Sequence, residues 1–583
     1  MIDVLWIWTF MFATTVCVGY GAAGLLRFFA GVQEKNAKAE ALSPTDASMT
    51  GLVAAGMYAQ WWSLFGGVGA AAFAGFALLA GALAWQMGRR GLGLPSVLAA
   101  RWKKMRLGQR VGLILLILFY AYGTARGYLH TDTTLYHAQS IHWIESYGSV
   151  PGLALLHNRL GYNSAAFPLT ALFSFVWLTG RSAHAAAGYL ALLTAWECLR
   201  ALRLLPALLP GKRTQEKAEE QKLRLSDFCR VAGLYYLLNI YDEMVSPASD
   251  YFMVCGAFFL AIRLLDVLEK EGAQEEERGL FSLGMLSILA VWLATVKLSA
   301  APLVLVAALP IARVFKSKTL PRGRFLATFT AAGFLAALPL FLRNILLTGY
   351  LLYPFPAIDL FALPWKIDPG YALSDQREIM VWGRGYTDVL QYDAPLSQWV
   401  GAWFAGQSLV DRAAIVLALA ALVAYLIVVL PRLLRGRCGK KTSVFVSEGV
   451  LLVGLLFWFR SAPLMRYGCV YVYLAAALFA GELYLARLRT PAFAALLFAF
   501  LLLKSVTFGR ECLMGFAADG TRYLLRQKDY IDPPCIAYEI DGETFYHADG
   551  QGTGYAAFPS SPFPAKLRLR GETLRAGFLP ADE

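Results

Sequence analysis

Long apolar stretches separated by short polar ones fill most of this chain, and period-two alternation of the kind a half-buried strand needs appears only near its end. A membrane-crossing helix takes about 20 apolar residues, fewer inside a bundle. About thirteen stretches qualify: residues 5–26, 61–85, 111–128, 185–205, 231–241, 251–265, 281–296, 300–314, 325–347, 413–430, 445–459, 467–485 and 491–506. The first has neither a basic leader nor a small-residue cleavage site, so it reads as a span rather than a signal peptide. The run 165–178 is short, begins near Pro168 and ends at Gly180. It reads as a juxtamembrane or re-entrant helix that does not cross. The predicted fold class is therefore all-α integral membrane, with about thirteen transmembrane helices.

Two polar regions on one side are long enough to hold structure of their own, 129–184 and 348–409, and both belong to a membrane domain expected over 1–508. A loop as long as the second usually serves as a lid or binding loop. Residues 509–583 read as a small β-rich tail. Ile536–Ile540 and Glu543–Tyr546 flank Asp541-Gly542, the signature of a hairpin with a tight turn, and Lys566–Arg570 alternates like another strand.

Composition agrees: 58% of residues are hydrophobic and 16% charged, too little charge to cover a soluble protein of this length. Lys and Arg gather in four loops, at 89–110, 212–224, 316–324 and 432–441. All four face the cytoplasm together only if the N-terminus is cytoplasmic and 165–178 does not cross, which makes the C-terminus external. The expected location is a bacterial inner membrane. Basic loops facing anionic lipid account for the formal charge of +13, so no nucleic-acid partner is implied. The eight cysteines lack metal-binding spacing, and Cys512 and Cys535 in the external tail permit a disulfide without implying one.

Protonatable groups are scarce and unevenly placed. Four of the six histidines, His130, His137, His142 and His157, lie between residues 128 and 165, with Asp132, Glu145, Arg159 and Asn163. Asp132 to Trp143 has helical spacing, and Asp132 at its start reads either as an N-cap or as a reactive carboxylate at the membrane surface. Further charges fall at external helix ends: Asp242 and Glu243, Asp250, Lys297, Arg343 beside Asn344, and Arg460 and Arg466 around a break at 461–465. Snorkelling to the headgroups explains any one of them. Their common sidedness suggests surface chemistry, because transporters more often place ionisable groups near the midplane. Aromatics interleaved with Asp368, Asp375, Glu378 and Asp388 in the long loop suit either an interface belt or sugar binding.

The segment His130–His137 around Asp132 resembles the signature of GT-C membrane glycosyltransferases, as does Arg343-Asn344 followed by Gly349 and Tyr353-Pro354. Asp132 through Asn163, together with 457–466, is more closely similar to a family of uncharacterised bacterial multispanning proteins. The resemblance implies a GT-C-like fold with a cavity at the outer leaflet. The donor would be a sugar on a polyprenyl phosphate, and the acceptor a glycan, lipid or protein at the cell surface. In that reading Asp132 is the base and His137 its orienter or alternate. Arg343, Lys297, Arg460 and Arg466 clamp the phosphate, while Arg159, Asn163, Asp242 and Glu243 complete the substrate site. Thr133 stands where some branches carry a second acid, so the resemblance leaves a divalent metal open. An O-antigen-type polymerase or ligase, relying on Arg159 and His157, is one alternative. A non-enzymatic lipid or glycan flippase is another.

Overall fold

Backbone amides in a bilayer find partners only within helices or closed barrels, and this chain uses helices almost to its end. The computed structural model describes residues 1–583 except 33–41, 90–92, 209–220, 270–275, 318–319, 429–430, 432–441, 486, 551 and 582–583. Of the basic residues used above to side the loops, Arg90, Lys212, Arg213, Lys217, Lys318, Arg432, Arg435, Arg437, Lys440 and Lys441 lie outside the described residues.

Among the described residues ten helices are long and apolar enough to cross a membrane, the longest being Ile2–Ala30 and Thr490–Asp519. Four more segments run between the same two ends of the bundle: Pro44–Trp62, Ala186–Cys198 with Leu199–Leu208, Leu225–Asn239, and Leu298–Ala307 with Ala308–Val314. Pro44–Trp62 was not expected from hydropathy. Ser43 caps it by accepting from the Asp46 amide at 3.1 Å, and Pro44 occupies the first turn, where a missing N–H costs nothing. It packs antiparallel on Ile2–Ala30 through small residues. A Cβ on Gly19 would lie 1.7 Å from the Ala47 carbonyl, and one on Gly51 would lie 1.8 Å from that of Thr15. Two of its polar groups are spent on protein partners: Ser48 bonds Tyr189 at 2.5 Å and Asp46 pairs with Arg263 at 2.8 Å.

This helix changes the topology. The N-terminal ammonium donates to Tyr523 O at 2.6 Å, and Arg126 pairs with Asp519 at 2.7 Å, so Met1, the end of Leu107–Arg126 and the start of the tail share one end of the bundle. Asp132 follows directly. The expected opposite placement of the two termini is thus corrected: both lie at the Asp132 end. The stretch 61–85 does not form one helix either, because the chain turns at Ser63–Gly69 between Pro44–Trp62 and Ala70–Arg89. The run 165–178 forms two short helices, Ala166–Leu172 and Val176–Thr179, and begins and ends at the Asp132 end. Ala165 N donates to Thr295 O, and Arg181 bonds Asp529 in the tail segment.

At the opposite end a buried charge network locks three helices together. The guanidinium of Arg230, 2% exposed, reaches Asp266 at 2.5 Å, Glu197 at 3.2 Å and Asp227 at 3.3 Å, and Arg203 closes on Asp227 at 2.6 Å. Burying so many charges is sustainable only because each has an opposite partner.

The tail begins after Gly520, since Thr490–Asp519 is one helix that passes the expected boundary at 508. The predicted hairpin is present, Ile536–Ile540 paired antiparallel with Glu543–His547 from Ile536↔His547 to Ile540↔Glu543. Asp541 (φ 49°) and Gly542 (φ 83°) make its turn. Leu567–Leu569 pairs with Phe578–Pro580, and Ser560–Ser561 adds to the hairpin in parallel. Cys512 and Cys535 are free. The tail does not stand apart from the membrane domain: Ile540, Phe545 and Phe578 share one core with Trp143, Val150, Leu153 and Leu347.

Candidate active site

Asp132 is not a cap. Thr131 and Asp132 are already helical, Asp132 has φ −61° and ψ −21°, and its carboxylate accepts nothing from the first turn. Five residues of π-helix, Thr133–His137, follow before the regular helix Ala138–Ser146. Such wide turns in otherwise helical segments frequently mark functional positions. The carboxylate instead faces the guanidinium of Arg466 at 3.0 Å, with the His130 ring 3.7 Å away. The Asp132 amide donates to His130 Nδ1 at 3.1 Å, and His130 Nε2 touches Arg466. Burial, and then Arg466, hold the His130 imidazole below its ordinary value.

A second ion pair adjoins the first. Lys297, at the break between Glu276–Val296 and the 3₁₀ segment that follows, lies 2.9 Å from Asp250 in the first turn of Ser249–Glu269. Tyr467 joins the pairs, its ring centroid 4.0 Å from the Lys297 ammonium and 5.1 Å from the Arg466 guanidinium carbon. Helix ends scattered over more than three hundred positions of sequence thus deliver two carboxylates and two cations to one place. Asp132 is 18% exposed and Asp250 8%, so both are largely shielded from solvent and stay partly open. At such depth a charge interacts more strongly than at a free surface.

The other predicted residues divide. His137, 1% exposed, does not reach Asp132. It bonds Thr133 Oγ1 at 3.3 Å, and Thr133 bonds Ser246 at 2.6 Å. Burial holds it well below the ordinary histidine range, so it is a neutral wall residue. The ring beside Asp132 is His130, whose spacing two residues away had not singled it out. Asn163 donates to Leu340 O at 3.0 Å and to Asn344 Oδ1 at 3.1 Å, pinning the loop to the helix that carries Arg343. Arg159 stacks over Trp382 at 5.1 Å. Glu243 accepts from Tyr251, and the Asp242 carbonyl accepts from Tyr128 N at 2.8 Å. Arg460 is exposed and neighbours Arg384 rather than Asp132.

Arg343 is the outlier. It is 2% exposed, and its Nε and Nη1 are buried without a hydrogen-bond partner. Around it the helix Arg322–Thr348 is well satisfied. Pro339 lacks the N–H that the Leu335 carbonyl expects, and Trp61 donates there at 2.9 Å; Trp365 and Gly152 donate to the Ile345 and Leu346 carbonyls at 3.2 and 2.8 Å. The loop residues that pin this helix also reach the ion pairs, since Ser164 donates to Val296 O at 2.7 Å, one residue before Lys297.

Two clusters flank this region, around Asp375 and Glu145, which the sequence named without their partners. Asp375, 3% exposed, accepts from Tyr162 at 2.5 Å, Tyr353 at 2.7 Å and Asn158 at 3.1 Å. Tyr162 also packs edge-on against Tyr136 at 5.6 Å. Glu145 accepts from Ser182 at 2.7 Å and from Tyr555 of the tail at 2.6 Å. Burial pushes its carboxyl up to about 6 despite those bonds. Among the described residues no three His, Cys, Asp or Glu side chains converge as metal ligands, and the carboxylates at Asp132 and Asp250 are matched by cations. The site fits an anion better than a metal.

No curated protein and no solved structure matches this chain. A family model described as Domain of unknown function (DUF8201) matches residues 1–473, which include every residue of the candidate site. The chain belongs to the DUF8201 family.

Proposed function

We propose that this protein is a membrane glycosyltransferase that moves a sugar from a polyprenyl-phosphate donor to a cell-surface glycan, lipid or protein at the outer leaflet, on a GT-C-like scaffold. The observation that carries the reading is Arg343. A buried guanidinium with two unpaired nitrogens is costly unless an anion joins it, and its planar fork suits phosphate. Lys297 and Arg466, each paired with a carboxylate, stand at the same end of the bundle.

In this reading the acceptor hydroxyl attacks the anomeric carbon and gives its proton to Asp132. The bond from that carbon to the phosphate oxygen breaks, leaving its electrons on the lipid phosphate. Arg343 binds the phosphate and stabilises the charge that grows on it, which is where preorganised donors act most strongly. Arg466 holds the Asp132 carboxylate in place, and His130 accepts from the Asp132 amide.

The test uses purified protein in liposomes with a polyprenyl-phosphate-linked radiolabelled sugar. Transfer with release of polyprenyl phosphate is expected. Arg343→Ala should weaken donor binding or slow turnover at least about tenfold, since a hydrogen bond to a charged group contributes roughly 1.5–3 kcal/mol, and Arg343→Lys should restore only part. Movement of intact donor across the bilayer without transfer would replace this reading with a flippase.

A further inference from the structure

A large cavity stands apart from the Asp132 site. It measures about 1060 Å³ and opens between Ile2–Ala30, Leu107–Arg126 and Ala186–Cys198, slightly more than small-molecule pockets usually hold (about 300–1,000 Å³). One wall is apolar along the helices, from Leu5 and Phe12 to Ile117, Leu193 and Trp196. The other end carries five cations, against two carboxylates, Asp46 and Glu197.

Those carboxylates are already matched. Asp46 pairs with Arg263 at 2.8 Å, and Glu197 with Arg200 at 2.8 Å and Arg230 at 3.2 Å. Among the described residues Arg101, Lys104 and Arg278 have no carboxylate within ion-pair distance, so the mouth holds a surplus of positive charge. Arg101 and Lys104 come from Leu94–Lys104, a helix with no buried residue, whose Trp102 is 41% exposed. A short basic helix with an exposed tryptophan is built to lie in a headgroup layer. It sits at the start of Leu107–Arg126, hence at the end of the bundle opposite Asp132.

We infer that this groove is a binding site for an anionic glycerophospholipid of the leaflet opposite the Asp132 site, with acyl chains along Phe12, Ile117 and Leu193 and the phosphate at Arg101 and Lys104. A soluble anion would leave the apolar wall unused, and a zwitterionic lipid would leave the surplus charge unmatched. The site stands independently of the proposed transfer reaction.

The experiment is native mass spectrometry of the full chain from nanodiscs of equimolar phosphatidylglycerol and phosphatidylcholine. One phosphatidylglycerol per protein is expected to survive delipidation. Arg101→Gln with Lys104→Gln, both exposed positions, should reduce that retention about tenfold, given the attraction of each basic side chain for anionic lipid. Ile117→Trp, which narrows the groove and leaves the cations in place, should reduce it as well. Equal retention of the two lipids, or retention unaffected by the charge variant, overturns the inference. Loss in the charge variant with none in Ile117→Trp reduces the site to a surface attraction and equally overturns the groove.

Discussion

Arg343 separates function from stability more sharply than any other residue here. If its unpaired guanidinium awaits a ligand, the empty protein carries the cost of a buried, incompletely bonded charge. Arg343→Met is therefore expected to raise the unfolding temperature of donor-free protein by about 2–4 °C while abolishing donor binding, measured by thermal denaturation and lipid-donor titration. A drop in unfolding temperature would make Arg343 a structural residue. Asp132→Asn is expected to remove transfer while leaving expression and donor affinity near wild type, because Asn keeps the shape but cannot take the proton. Turnover at the wild-type rate would reduce Asp132 to a partner for Arg466. Glu145 yields a pH dependence. Its folded value is raised from 4.5 to about 6, so it contributes stability that is full below the ordinary carboxylate value and is lost as pH rises through about 6, roughly 2 kcal/mol in all. Proteolytic release of the tail, which Tyr555 ties to Glu145, should be several-fold slower at pH 5 than at pH 7.5, and Glu145→Gln should flatten that difference.

At the scale of elements, the helix that follows Asp132 depends on the tail. The Thr134 carbonyl, inside the π-turn, accepts from Thr553 N at 2.9 Å and Gly554 N at 3.0 Å, and Gln139 donates to Ala557 O at 2.8 Å. A Cβ on Gly552 would sit 2.8 Å from the Thr134 backbone. Gly552→Val should therefore push the tail off this helix at a cost of about 1–3 kcal/mol, visible as faster limited proteolysis after residue 520 together with slower transfer. Cleavage at the wild-type rate would show that the tail is held elsewhere. The sequence made the hairpin legible because Asp-Gly between alternating residues has few other readings. It also placed a helix after Asp132. It could not show that Asp132 turns away from its own helix, because that depends on Arg466 arriving from more than three hundred positions along the chain. Nor did it show what gathers around Asp375 and Glu145, whose hydrogen-bond donors are tyrosines, an asparagine and a serine that look ordinary in isolation.

Over the whole molecule, hydropathy found the ten long apolar helices and missed Pro44–Trp62. Pro44–Trp62 carries a half-buried Asp46 and the buried Ser48 and Gln60, and these lower its apparent hydropathy although Arg263 and Tyr189 satisfy the first two. One missed crossing reverses the predicted side of everything before it, which is why the N-terminus was expected opposite the tail. The described basic residues around Lys103, Arg224 and Arg322 all sit at helix ends remote from Asp132, the pattern expected if that far end is cytoplasmic. With an even number of crossings the two termini share a side. Single cysteines at Asp3 and Gly550 in an otherwise cysteine-free chain should then both react with a membrane-impermeant maleimide from outside intact cells, as should one at Ser149. One at Lys103 should react only after permeabilisation. Protection at Asp3 with reaction at Gly550 would restore an odd number of crossings and contradict the bond from the N-terminal ammonium to Tyr523. Protection at Asp3, Ser149 and Gly550 together would keep the bundle but turn it over, placing the candidate site on the cytoplasmic face and removing an outer-leaflet donor from consideration.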